Sequence, residues 1–568
     1  MSLQQTTDVL IVGAVPLWLA HTGINFRIIE RRPNVPRRGQ ADGLSPRTME
    51  ILETFGISHK VSRLWEQGTD EMLWCRGADG NLIRMERFHT QPQGGVRWGH
   101  GTLQQGVVEE IMKKRITNLC GVGVEYETTL SELSFDSSQV SSHNAFVWSA
   151  RLQHGPDKVP GPLPEENVRA KYVIGADGGR SFVRQAMGIE MQGTKGEAVW
   201  GVMDVVGISD FPDDIDGAVD FVRREQGMTR MYVELNKTVS GWQALDRESI
   251  TPDSIIEKCR HIIRPYKVCL QWSAFTVGQR ISDCMTVQSN GFLVGDAVHT
   301  HSPLCGAGMN TAVQDAYNLG WKLAGVLNRK LRPEVLSSYE AERRPVAEAL
   351  LDADRTILDL FHAPLGPEAD TLLAKAHSVQ LYLAGRHIQY GQSLLTTLSD
   401  SSVQGSVFTP GKTLPDMSVR NYTTGTLANL HDWIKADGRW ALIVRAGDLS
   451  TGSGLNDLDT CCTRIEAMME ITLSNRAETL GAFLIHCTEW PNLDLAELPS
   501  LFHAPSKYGG LDYGKIFVTE STIQYHPGEK PDSLEITVVR PDKHIGWTGG
   551  IEALDGLEGY LGRIFHRT

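Results

Sequence analysis

The sequence predicts an α/β protein: a dinucleotide-binding domain that carries an antiparallel layer, followed by a smaller α/β domain. Three observations predict it. An apolar, β-branched run at 8–13 (DVLIVG) leads through a short helical stretch into 26–30 (FRIIE), a strand that ends in an acid, which is the outline of a nucleotide-binding βαβ unit. Two later strand ends carry glycine–acid turns, at Gly175-Ala176-Asp177 and Gly295-Asp296. Beyond a Ser/Thr/Gly/Pro-rich stretch, strand and helix patterns alternate again to the end of the chain.

The elements follow in order. The 8–13 run reads as a buried parallel strand. Pro16 suits the first turn of a helix reaching about His21, and Gly23 closes it. From about 196 to 290 apolar and polar residues alternate, as in Met231-Tyr232-Val233-Glu234-Leu235, which predicts antiparallel strands. After Asp296 the loop HTHSPLCGAG opens a helix on which Met309, Ala312, Val313, Ala316, Gly320 and Leu323 recur at helical spacing. The helical stretch 339–362 is charged on one face, the pattern of a solvated helix. Strand candidates at 439–447, 482–487, 515–519 and 534–542 build the second α/β domain. These readings divide the chain into 1–400, a linker at 401–425, and 426–568.

Charge and cysteine usage exclude several classes. Lys and Arg number 55 against 68 Asp and Glu, a net charge of −13, which disfavours nucleic-acid and anionic-membrane partners. The pair Arg31-Arg32 survives only as a small-anion site. The nine cysteines are an odd number with no CxxC, so neither a disulfide framework nor a zinc site is expected. His299 and His301 lack companion ligands, so no metal is expected there either. The apolar run from Val9 to Ala20 is 12 residues, short of the ~20 a transmembrane helix needs. The preceding MSLQQTTD carries no positive charge, so no signal peptide is expected. A cytoplasmic protein is the expectation.

The chemistry concentrates in GDAVHTHSPLCGAGMNTAVQDAYNLGWKL, 295–323. An acid at a strand end accepts from a sugar-like hydroxyl, a glycine turn admits a ligand to its backbone amides, and the helix N-terminus beyond favours negative charge. A flavin uses all three: Asp296 for the ribityl chain, and the turn of Gly306, Ala307, Gly308, Met309 and Asn310 for the edge of the ring that becomes anionic on reduction. Glu30, at the end of the second strand, suits an adenosine ribose.

This string resembles the second flavin fingerprint of the class A flavoprotein aromatic hydroxylases. GADGGRSFVR (175–184) is similar to their Asp-Gly motif, which implies that Asp177 touches both flavin and NADPH. RRGQADGLSPRTMEILETFGI (37–57) is similar to the segment that opens their active site, and LQQGVVEEIM (103–112) to their flavin-contacting Gln segment, with Gln105 in that position. Within the class the chain resembles the phenol 2-monooxygenase branch, whose C-terminal domain is thioredoxin-like without redox cysteines; VVRPDKHIGW (538–547) is similar to that domain's final hairpin. The resemblance implies an FAD-binding Rossmann-like domain with an inserted antiparallel substrate layer, and a homodimer. It implies FAD held by Gly13, Glu30, Arg31, Gln40, Gln105, Asp177, Asp296 and the 306–310 turn. Asp42 would take the phenol proton, Tyr232 orient the phenolate and Arg224 hold negative charge nearby. NADPH would reduce FAD, molecular oxygen would add to give a C4a-hydroperoxyflavin, and a phenolic substrate from aromatic catabolism or polyketide biosynthesis would attack it.

One departure stands out. After the first strand the family carries three fingerprint glycines, and only Gly13 remains here, followed by Val15-Pro16. About six residues are missing by eye, and the stretches 211–224 and 264–280 are also compressed. The loss of pyrophosphate-facing amides implies weakened FAD binding. The rival to an enzyme is a flavin-free relative that only binds or assembles.

Overall fold

The computed structural model describes residues 5–13, 17–36, 41–68, 70–76, 82–89, 97–139, 145–156, 162–194, 199–205, 215–216, 219–223, 229–235, 237–238, 241–242, 250–262, 273–276, 278–302, 306–362, 375, 379, 382, 384–385, 387–398, 406–473, 476–490, 492–505, 511–519 and 534–566. The chain divides into two compact units, 1–317 with 343–386, and 318–342 with 387–568.

The centre of the first unit is an eight-stranded sheet. Its main path runs Thr286–Val287, Gly291–Leu293, Glu165–Gly175, Gln5–Val12, Phe26–Glu30, Val124–Tyr126, with Trp148–His154 and Thr128–Phe135 added antiparallel beside Glu165–Gly175. The first strand pairs parallel with both Glu165–Gly175 and Phe26–Glu30, and Gly291–Leu293 pairs parallel with Glu165–Gly175. Parallel pairing brings Gly13, Ala176-Asp177 and Gly295-Asp296 to one edge of the sheet, the carboxyl end, where open α/β sheets bind ligands. Backbone bonds continue the ladder past the strands: Gly13 N donates to Ile29 O, Ala176 N to Val12 O and Val294 N to Gly175 O. The core strands are fully buried through Val9, Leu10, Ile11, Ile28, Ile29 and Val173, as the near-continuous apolar runs require.

The predicted antiparallel layer is present as a four-stranded sheet, ordered Val219–Arg223, Thr229–Glu234, Val199–Val205, Ser273–Thr276. A smaller ladder pairs Gly43–Leu44 with Gly101–Thr102.

The second unit holds a seven-stranded mixed sheet. At its heart Leu480–His486 lies parallel beside Trp440–Arg445, followed by the antiparallel hairpin Glu535–Val539 and Ile545–Gly549. Helices Gly452–Thr472 and Leu554–Ile564 follow the first and last of these strands. That order is the thioredoxin arrangement. Its core packs Ile443, Phe483, Ile485, Phe517, Val539 and Ile545 together. All four sequence-predicted strands of this domain form. Cys461 and Cys462 are buried.

Two elements add to the sequence reading. The strand Ser418–Asn421 lies inside the stretch 401–425 that composition marks as a linker, and it pairs with both Leu427–Asn429 and Ile516–Val518. Ser and Thr there serve local turns: Thr423 and Thr424 both donate to Asn421 Oδ1. The helix Ser338–His362 has the expected solvated charged face, with Glu348, Asp352, Arg355 and Asp359 exposed, and it carries buried charge on its other side. Glu342, Arg343 and Asp354 are buried on it, because each has a partner within its own unit. Glu342 pairs with Arg540 and Lys322, Arg343 with Asp315, and Asp354 accepts from Ser302 N.

Candidate active site

At the carboxyl edge of the first sheet, Gly13 has φ 103°, and a Cβ there would stand 2.5 Å from Ala176 O. Only glycine allows the two turns to approach this closely. Residues 14–16 and Gln40 lie outside the described residues, so the shortened fingerprint is not visible beyond Gly13. The compressed stretches 211–224 and 264–280 also lie largely outside them.

Asp296 sits in a single 3₁₀ turn, Gly295–Ala297. Its neighbours are buried while its own side chain is exposed, and among the described residues its carboxylate makes no hydrogen bond. The turn is held from behind by Asp315, which accepts from Gly295 N at 3.2 Å, contacts His299 Nε2 at 3.1 Å and pairs with Arg343 Nε at 2.7 Å. Burial works to raise the Asp315 pKa, but Arg343 and His299 outweigh it and hold it below the usual carboxylate value.

Asn310, in the first turn of the helix Gly308–Leu327, joins that edge to the Asp42 segment. Its Nδ2 donates to Gly306 O at 2.9 Å and Gly43 O at 3.0 Å. Its Oδ1 accepts from Ser45 N at 2.9 Å and Thr48 Oγ1 at 2.7 Å. The amide is thus occupied with protein partners, and its part is to fix the glycine turn against residues 43–48. Gly306 has φ 57°, and nothing among the described residues stands within 4 Å of where a Cβ would be. Ala307 is buried, and Gly308 and Met309 are half-buried.

Asp42 is buried beside this turn. Tyr232 donates its hydroxyl to Asp42 Oδ1 at 3.0 Å, although the two are far apart in sequence. Arg230 Nε lies 3.4 Å from Asp42 Oδ2, and the Arg230 side chain is fully buried. Arg230 was not among the sequence candidates. Its signal was present: Arg230 and Tyr232 are two apart on one strand, so they share a face. Arg224 lies outside the described residues.

The remaining candidates surround this pair. Leu103 N donates to Asp42 O, and Gln105 N to Ala41 O. The Gln105 side chain accepts from Ala41 N at 3.3 Å and donates to Glu109 at 2.6 Å. Burial pushes the Glu109 pKa up against the pull of Gln105 and Arg32. Glu30 is at its strand end as expected, with its carboxylate on Arg32 N and Nη2; Arg31 is exposed. Asp177 accepts from Phe182 N at 2.7 Å and Val183 N at 3.0 Å. It caps the helix Phe182–Ala186 and so sets the course of the Asp-Gly turn.

Residues 6–354 match the FAD binding domain family, and 388–568 match the phenol hydroxylase C-terminal dimerisation domain. The chain is 52% identical to the FAD-dependent monooxygenase hkm7 of Aspergillus hancockii, over 91% of this chain and 99% of that protein. The chain belongs to the FAD-dependent aromatic monooxygenases. It is also 30% identical to the phenol 2-monooxygenase fsqG of Aspergillus fumigatus, over 97% of this chain and 96% of that one. Among solved structures it resembles aklavinone-11 hydroxylase in a ternary complex with FAD and aklavinone, with TM-score 0.69, 22% identity and 99% of each chain covered.

The residues of this monooxygenase fit the flavin end of FAD. The exposed Asp296 carboxylate suits a ribityl hydroxyl, and the glycine turn at 306 leaves amides at a helix N-terminus for the ring edge. Among the described residues no helix is long and apolar enough to cross a membrane, and no group of metal-ligating side chains occurs.

Proposed function

We propose that this monooxygenase consumes NADPH and hydroxylates a phenolic ring in the biosynthesis of an aromatic secondary metabolite. The observation that carries the reading is the Tyr232–Asp42 hydrogen bond, set beside the glycine turn that Asn310 fixes. The relative named a phenol 2-monooxygenase and the structural neighbour solved with aklavinone support a phenolic substrate, from one ring to several.

Bound FAD supplies the chemistry that activates molecular oxygen. The chain's own residues prepare the substrate. Tyr232 donates to Asp42, so its oxygen keeps its lone pairs for the substrate hydroxyl. As the substrate proton passes to Tyr232 Oη, the Tyr232 proton passes to Asp42 Oδ1. The substrate is left as an electron-rich phenolate and the net proton rests on the buried carboxylate. Arg230 places a positive charge against the same carboxylate and fixes its orientation. Arg224, Gln40, Gly13 and Arg31 are proposed as further contacts on the family resemblance, Arg224 to negative charge and the others to FAD. Asp177 is proposed to face both FAD and NADPH. The domain division into 1–400, 401–425 and 426–568 is retained as a proposal.

The test uses FAD-loaded protein and a panel of phenols, resorcinols and naphthols, reading NADPH oxidation and hydroxylated product together. Tyr232→Phe and Asp42→Asn should cut product while flavin content is retained. Normal oxidation and normal product in both variants would remove these residues from the chemistry.

A further inference from the structure

His301 lies in the loop between Asp296 and the helix Gly308–Leu327, and the reaction as described gives it no task. Its Nδ1 is 2.8 Å from the Ser302 carbonyl oxygen. A carbonyl only accepts, so Nδ1 carries the ring hydrogen, and in the uncharged ring Nε2 is a bare lone pair. That lone-pair nitrogen lies 3.2 Å from where a Cβ on Gly308 would stand, and it has no hydrogen-bond partner among the described residues. The imidazole therefore fills the space that glycine leaves at the first residue of the helix Gly308–Leu327.

The backbone next to the ring is held at Ser302. Ser302 N donates to Asp354 Oδ2 at 2.9 Å, and the Ser302 hydroxyl also bonds Asp354. Gln279 Nε2 donates to the same carboxylate at 2.7 Å. His299, stacked 6.4 Å away, has its Nε2 on Asp315, so the two histidines are not equivalent. The charged groups that act on His301 are Asp354 from the long helix and His299 and Asp296 from its own loop, and the adjacent strand carries Arg280, paired with Thr300. Burial holds the His301 pKa below the ordinary histidine value; Asp354 opposes this, His299 adds to it, and Asp296 opposes it. The ring is thus uncharged at rest, with two carboxylates placed to favour its cation once a further negative charge arrives.

We propose that His301 takes up a proton when the flavin is reduced and so balances the anionic reduced ring. Two electrons and one proton enter the flavin as a hydride equivalent and leave it with one negative charge. A second proton, drawn from solvent, forms the N–H bond at His301 Nε2. This rests on the reading that the flavin ring edge lies against the 306–310 amides.

Potentiometric titration of the FAD-loaded protein with dithionite, repeated across neutral pH, counts the protons taken up per two electrons. Wild type should take up two. His301→Asn keeps an amide donor for the Ser302 carbonyl but has no basic nitrogen, and it should take up one while holding FAD at the same stoichiometry. Uptake of one proton by wild type overturns the proposal. So does uptake of two by the variant, because the second proton then resides on the flavin. FAD content, measured first, reports on the functional reading separately: a wild-type chain that binds no FAD overturns both.

Discussion

Asn310 joins two parts of the site with one amide, donating to Gly306 and Gly43 and accepting from Ser45 and Thr48. Its replacement by alanine leaves several buried backbone groups without partners. Asn310→Ala should cost about 1–3 kcal/mol of stability, read by chemical denaturation, and should lower product formation as Asp42 loses its register with the glycine turn. Asp296 is the opposite kind of residue, exposed and without a hydrogen bond among the described residues. Asp296→Ala should leave stability unchanged and weaken FAD binding by about 1.5–3 kcal/mol, the loss of a charged acceptor. FAD titration of the apoprotein checks this, and unchanged affinity removes Asp296 from the site. Much of this was legible in the sequence. Strand ends and glycine turns identify Asp296 and Glu30 by local pattern, and family resemblance identifies Asp42 and Tyr232. The partnership of Asp42 with Arg230 was not legible, because a pairing between distant segments leaves no local periodicity. Nor was the occupancy of Asn310: the sequence shows an amide in a flavin-like turn but not the backbone segment it clamps.

Among the elements, the strands were read best. Runs such as 439–447 and 482–487 are mostly apolar and overlap the fully buried strands Trp440–Arg445 and Leu480–His486. The helix Ser338–His362 shows its solvated charged face as read, but the buried charges Glu342, Arg343 and Asp354 on its other side were not legible, because a charge is buried only where it has partners. Its partners Asp315, Lys322, Arg540 and Ser302 come from other elements. The strand Leu480–His486 carries a pH prediction. His486 is fully buried, its Nδ1 accepts from Thr488 N at 3.2 Å, and its Nε2 has no partner among the described residues. Burial lowers its pKa from 6.5 to about 4. Between those values the unfolded chain binds the proton and the folded chain does not, so folding stability falls as pH drops through that window. The loss approaches a limit on the order of 3 kcal/mol. His486→Gln should flatten the acid side of the stability profile, measured by urea unfolding at several pH values; an unchanged slope would contradict the assignment.

For the whole molecule, the two-domain plan was legible because each domain repeats its own strand–helix alternation. The compact units are not single stretches of chain, since 318–342 belongs to the second unit while 343–386 belongs to the first, and a chain that leaves a unit and returns has no compositional marker. The match of 388–568 to a dimerisation domain underlies the proposal of a homodimer, and light scattering should return twice the chain mass; a stable monomer would contradict it. The account as a whole turns on Tyr232 relaying the substrate proton to Asp42 beside a bound flavin. The most direct measurement is incorporation of isotopically labelled dioxygen into a phenol or naphthol by the FAD-loaded protein with NADPH, comparing wild type with Tyr232→Phe at equal flavin content. The account predicts one labelled oxygen per product molecule in wild type and little labelled product in the variant, whereas equal labelling by both proteins, or none by wild type across the panel of phenols, would contradict it.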